Sequence, residues 1–167
     1  LQTTLASMPE GLDFVTFNLD ESQFMQPEYI GLLANLKHSL PCTLGIELTE
    51  RHGDVAVNVN ELALVAAAKR YHAAGWVLCL DDVGTGANGK RLVQALDPYA
   101  SEYKYAIQNV RQTLPTTQIV EEIATWRKRA KRLDKAFTLE GLANPDDLSL
   151  IQRFAPDHVK GYNFGKP

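Results

Sequence analysis

Four carboxylates, an amide and a lysine recur at one kind of position along this sequence. Runs of apolar, β-branched or aromatic residues at 14–18, 44–48, 77–80, 102–105, 136–139 and 158–161 read as strands. At or beside their carboxyl ends stand Asn18, then Glu47, then Asp81 with Asp82, then Lys104, then Glu140. In parallel α/β architectures those ends share one edge, where chemistry gathers. Hard divalent cations such as magnesium and manganese take carboxylate, amide and water oxygens, so Glu47, Asp81, Asp82 and the carbonyl of Asn18 form a candidate ligand set. Two such ions ~4 Å apart activate a water and stabilise both oxygens of a phosphodiester displacement. Lys104 suits holding that water or a phosphate, and Glu140 suits taking a proton or completing the second metal shell.

Each residue also has a plainer role open to it. Asp81-Asp82 ahead of Gly84-Thr85-Gly86 fits a tight turn whose second aspartate caps a helix. Asn18 fits a loop bonding its own backbone, Lys104 an exposed lysine beside a weakly patterned strand, and Glu140 the first acid of a turn. Recurrence of oxygen donors at one predicted edge raises the chemical reading to stand level with these plainer ones.

The elements that must carry these residues alternate. Residues 28–39 place Ile30, Leu33 and Leu36 on one helical face behind Pro27. Asn60 suits the cap of a helix holding Leu62, Val65 and Ala66, with Gly75 at its end. A short helix is expected at 89–95. Another at 117–133 repeats Ile119, Ile123, Trp126, Ala130 and Leu133 at helical spacing, and a last one spans 146–154 after Pro145. Strand and helix alternating six times predict parallel strands joined by right-handed crossovers, in an open doubly wound sheet or a closed (β/α) barrel. No glycine fingerprint follows the first strand, which weighs against a dinucleotide-binding sheet. No low-complexity linker or repeat divides the chain, so one domain over 1–167 is expected.

Composition removes other classes. The hydrophobic content is 45% and the net charge −3, which gives a nucleic-acid polymer or an anionic membrane no electrostatic reason to bind. No apolar run approaches the ~20 residues that span a bilayer. The basic run Arg127, Lys128, Arg129, Lys131, Arg132 lies opposite an apolar stripe, as a solvated face does. Cys42 and Cys79 make no metal spacing and sit in or beside apolar runs, as buried thiols of a reducing cytoplasm would. His38, His52, His72 and His158 have no partner spacing. Without an initiating Met or a leader, the chain is expected to be part of something longer.

Four segments together resemble the successive motifs of the EAL domain family: Glu47-Leu48-Thr49-Glu50, Asp81-Asp82-Val83-Gly84-Thr85-Gly86, Glu140-Gly141-Leu142 and Gly161-Tyr162-Asn163-Phe164-Gly165-Lys166-Pro167. Asn18, in Phe17-Asn18-Leu19, falls where that family keeps a metal-binding asparagine. The resemblance implies a modified TIM-like (β/α) barrel whose active members hydrolyse cyclic di-GMP to the linear dinucleotide with magnesium or manganese. It implies Asn18, Glu47, Asp81 and Asp82 at the metals, Lys104 and Glu140 at the attacking water, and Glu50 steadying the loop after Asp82. It further implies a cytoplasmic setting and a homodimer or companion signalling domain.

Departures from the family pattern are equally specific. The Glu-Ala-Leu motif of the first strand is absent, so the barrel is expected to lack its first strand and helix here; Glu61-Leu62-Ala63 only echoes it inside a helix. Ala106 stands where the family has an aspartate, Ala143 where it has a second glutamate, and Val83 where it has phenylalanine. Lys160 replaces a glutamine at the nucleotide. These losses predict impaired catalysis, with a cyclic di-GMP receptor or a protein-interaction module as the alternatives.

Overall fold

The computed structural model describes residues 13–40, 42–49, 60–84 and 90–165. Glu50, His52, Thr85-Gly86 and Lys166-Pro167 lie outside the described residues. Among the described residues six parallel strands form one sheet in sequence order: β1 (Phe14–Asp20), β2 (Thr43–Thr49), β3 (Val77–Leu80), β4 (Glu102–Ala106), β5 (Ala136–Glu140) and β6 (His158–Lys160). Between them run α1 (Glu21–Met25), α2 (Pro27–Ser39), α3 (Glu61–Ala73), α4 (Lys90–Leu96), α5 (Ile107–Val110), α6 (Thr116–Arg132) and α7 (Leu148–Phe154), the last preceded by a 3-10 turn at Pro145–Asp147. Sequential order with a helix after each of the first five strands is the barrel-type arrangement, and it sets aside the open doubly wound alternative, whose strand order reverses.

Side chains alternate across each strand, so the register assigns every residue to a face. One face carries Leu44, Ile46, Leu48, Leu78, Leu80, Tyr103, Tyr105, Phe137 and Leu139, all buried. Helices cover it. Trp126 of α6 meets Tyr103 edge-on, ring centroids 5.8 Å apart, and Ile119, Ile123 and Ala130 are buried along the same helix. The other face is polar, and it holds every site residue that lies on a strand.

Two short helices escape the periodicity argument because neither completes two turns. Helix α1 is nucleated locally: Asp20 Oδ1 accepts from Gln23 N (2.9 Å), and Gln23 Oε1 accepts from Asp20 N (3.1 Å). Its Phe24 then stacks on Tyr71 of α3 at 4.6 Å. Helix α5 simply continues the chain beyond β4. The weak pattern of 102–105 has a physical reason as well. Strand β4 is buried on both sides, with glutamate and lysine on one face and tyrosines on the other. Strand β6 stops before Gly161, where a Cβ would lie 2.3 Å from the backbone oxygen of Leu142.

No helix is long and apolar enough to cross a membrane among the described residues. Cys42 is half-buried, Cys79 is buried, and both are free thiols.

Candidate active site

Backbone pairing sets the site before any side chain does. Asn18 of β1 is the Cα partner of Glu47 on β2, and Glu140 of β5 is the partner of Lys160 on β6. Between them Glu102 pairs with Ala136 and Lys104 with Thr138. The site residues therefore climb across successive hydrogen-bonded rows, the stagger that a tilted, curving sheet requires.

Lys104 is the centre. Its ammonium lies 2.7 Å from Glu47 Oε2, 2.7 Å from Glu140 Oε1 and 3.7 Å from Asp81 Oδ1, bridging four strands or their ends. Lys104, Glu47 and Glu140 are each at most 6% exposed, so Lys104 is not an exposed lysine beside its strand. The Lys104 and Glu140 atoms meet as an ion pair by distance and charge, outside hydrogen-bonding angles.

The charges answer one another. Burial works to raise the Glu47 pKa, but the Lys104 ammonium beside it and the hydroxyl of Thr16 outweigh it and hold the carboxyl below its usual range. At Asp81 burial wins: with Glu140, Asp82 and Glu47 adding repulsion against the pull of Lys104, its pKa is pushed up to about 6. Burial works to lower the Lys104 pKa, yet Asp81, Glu140 and Glu47 raise it above the ordinary lysine value. Lys104 is a permanent cation and no base.

Asp82 follows with φ 49°, in the left-handed region that aspartate tolerates better than most residues. The turn is fixed from both sides: Asp81 N donates to Leu48 O (3.2 Å) and Val83 N to Lys104 O (3.0 Å). Asn18 is exposed at the same edge.

For a hard divalent ion the donor set is chemically suitable, since Asn18, Glu47, Asp81 and Asp82 offer oxygen alone. Among the described residues no three acidic, histidine or cysteine groups already form a cage. The reason is visible: Glu47 and Glu140 are gathered about the Lys104 ammonium.

Around this centre the departures take up positions. Lys160 Nζ lies 3.6 Å from Glu140 Oε1, with its side chain 67% exposed. Ala106 is buried beside Glu140 in register, and Ala143 is exposed. An open cleft of about 660 Å³ adjoins Glu140, lined in part by Gln108, Lys160, Tyr162 and Phe164. Neither aromatic was anticipated as a lining group.

Beneath the site lies a polar band that reasoning from strand ends alone cannot find. Thr16 donates to Glu47 Oε1. Cys79 Sγ donates to Glu102 Oε2 at 3.1 Å, Thr138 donates to Glu102 Oε1, and His158 Nδ1 lies 3.2 Å from the same oxygen. His158 does have a partner, though one spaced across strands. The signal in the sequence is a period of two: Thr16, Cys79, Glu102, Thr138 and His158 each stand two residues before Asn18, Asp81, Lys104, Glu140 and Lys160.

A family model described as EAL domain matches residues 1–167. The chain is 26% identical to the probable cyclic di-GMP phosphodiesterase PdeG of Escherichia coli (strain K12), with 97% of the chain and 31% of that protein covered. Among solved structures it is similar to Klebsiella pneumoniae BlrP1 in a manganese and cyclic di-GMP complex: TM-score 0.78, 20% identity, 99% of this chain and 42% of that one. It is similar as well to the Bacillus subtilis YkuI protein, with an EAL domain, in complex with substrate cyclic di-GMP and calcium: TM-score 0.73, 16% identity, 99% and 39%. At these identities the structures establish the fold, and the chain spans under half the length of each.

Proposed function

Because this chain belongs to the EAL domain family, we propose that its site binds cyclic di-GMP and hydrolyses one phosphodiester bond with divalent metal, slowly. The observation that carries the reading is Lys104, held at 2.7 Å from both Glu47 and Glu140 in a buried cluster of carboxylates. Asn18, Glu47, Asp81 and Asp82 are the residues to hold magnesium or manganese. When bound, such ions lower the pKa of a coordinated water and polarise the phosphate.

The chain's own groups divide the remaining work. Lys104, fixed as a cation, donates to the attacking water or to a phosphate oxygen and cannot remove a proton. Glu140 is the acceptor placed beside it. Attack of the water oxygen forms one P–O bond and breaks one bridging P–O bond; one water proton passes to Glu140, the leaving sugar oxygen takes a proton from solvent, and the linear dinucleotide is released. Lys160 is an exposed ammonium at the cleft, suited to a nucleotide phosphate. Glu50 is assigned by resemblance to steadying the loop after Asp82. A cytoplasmic location and pairing with a second copy or a signalling domain belong to the same reading.

Slow turnover follows from Ala106 and Ala143, which supply no oxygen where the family has carboxylates. The test is hydrolysis of cyclic di-GMP with excess manganese, parent against Glu140→Gln. Slow turnover abolished by the substitution is expected. Binding without any turnover makes the protein a receptor; neither binding nor turnover overturns the reading.

A further inference from the structure

We propose that Glu102 is a positioning residue for the site, acting through Cys79, Thr138 and His158; this rests on the reading of that site as metal-binding. Glu102 is 5% exposed, and among the described residues its ion-pair partner is His158, with no lysine or arginine in range. A carboxylate buried in this way costs several kcal/mol unless donors compensate. The donors come from three other strands.

Proton accounting makes the arrangement directional. Thr138 has one hydroxyl proton and gives it to Glu102 Oε1, so toward His158 Nδ1, 3.4 Å away, its oxygen can only accept. His158 must therefore carry a proton on Nδ1, shared between Thr138 and Glu102 Oε1 at 3.2 Å. Cys79 supplies the last donor, to Oε2. One carboxylate thereby ties β3, β4, β5 and β6.

Each tied residue precedes a site residue by two, and residues i and i+2 of a strand share a face about 7 Å apart. Fixing Cys79, Glu102, Thr138 and His158 to one another sets the bases from which Asp81, Lys104, Glu140 and Lys160 project. Apolar side chains in the band would hold the strands together without the desolvation cost, but with no preferred direction. Hydrogen bonds add the orientation that a metal and water site requires.

The experiment measures manganese affinity by calorimetry, and metal-free melting temperature, for the parent and for Glu102→Gln, Glu102→Met, Thr138→Val and His158→Phe. Glu102→Met is expected to weaken manganese binding by about tenfold, the lower end of losses seen when groups behind metal ligands are removed. Glu102→Gln, which keeps shape and one acceptor, should lose less than Glu102→Met. Should Glu102→Met fail to fold, Thr138→Val and His158→Phe decide: weakened manganese binding in both, measured well below the melting temperature of each, supports the role. Variants that melt earlier but bind manganese as the parent does overturn it and leave Glu102 merely structural. A parent that binds no manganese overturns the metal reading itself, and the positioning role with it.

Discussion

Lys104 Nζ lies 2.7 Å from Glu140 Oε1, so neighbouring strands β4 and β5 present a cation and an anion to the same point. Glu47 approaches the same ammonium at 2.7 Å from β2, across β3. The site is thus organised around a lysine, with acids on both flanks, and its acid–base behaviour follows from that order.

Removing the ammonium leaves Glu47 and Glu140 buried without their cation, a change that costs about 3–5 kcal/mol when one partner of a buried pair is lost. Lys104→Met is expected to be destabilised by that amount in chelator at neutral pH. Manganese should restore part of the loss, because a divalent ion neutralises the same carboxylates. Urea unfolding with and without metal measures both. Unchanged stability in chelator would show that the carboxylates are solvated and that the burial argument fails.

Asp81 gives the metal-free protein a pH dependence of definite sign. Its folded pKa, pushed up to about 6, exceeds the unfolded value of about 4, so the folded state holds the proton more tightly. The stabilisation is complete below about pH 4 and gone above about pH 6, worth roughly 3 kcal/mol in all. Glu47 acts oppositely, its lowered pKa favouring folding at higher pH. Asp81→Asn isolates the first effect, since asparagine imitates the protonated form throughout. The stability difference between parent and Asp81→Asn should open, to the parent's disadvantage, as pH rises from about 4 to 6 in chelator. A difference that stays flat would exclude the buried, proton-retaining Asp81.

Much of this was legible in the sequence because parallel α/β folds translate strand ends into one edge. Asn18, Glu47, Asp81, Lys104 and Glu140 all follow from that rule, and the strand at 77–80 coincides with β3. What stayed hidden has two causes. Helix α1 is set by a four-residue capping exchange at Asp20, too local for periodicity to register. Glu102 and His158 become partners only when β4 and β6 flank β5, 56 residues apart in the chain, and no spacing rule connects them. Glu50 belongs to a segment outside the described residues, and its role rests on resemblance alone.

Lys160 is the departure with the clearest electrostatic consequence. Its ammonium stands 3.6 Å from Glu140 Oε1, where a glutamine would add no charge. A cation on that carboxylate competes with any divalent ion bound nearby, so Lys160→Gln is expected to raise manganese affinity. The side chain is 67% exposed, which places it in a high-dielectric setting and keeps the gain modest, about two- to fivefold at low salt. Screening should then shrink the gain, since the Debye length falls from about 30 Å at 0.01 M to about 8 Å at 0.15 M. The same substitution should weaken metal-free binding of cyclic di-GMP, because glutamine offers a phosphate a neutral donor in place of a charged one. Calorimetric titrations of manganese at both salt concentrations, and of the nucleotide in chelator, separate the two effects. Manganese affinity that is unchanged at low salt would mean that Lys160 points its charge into solvent and leaves the site alone.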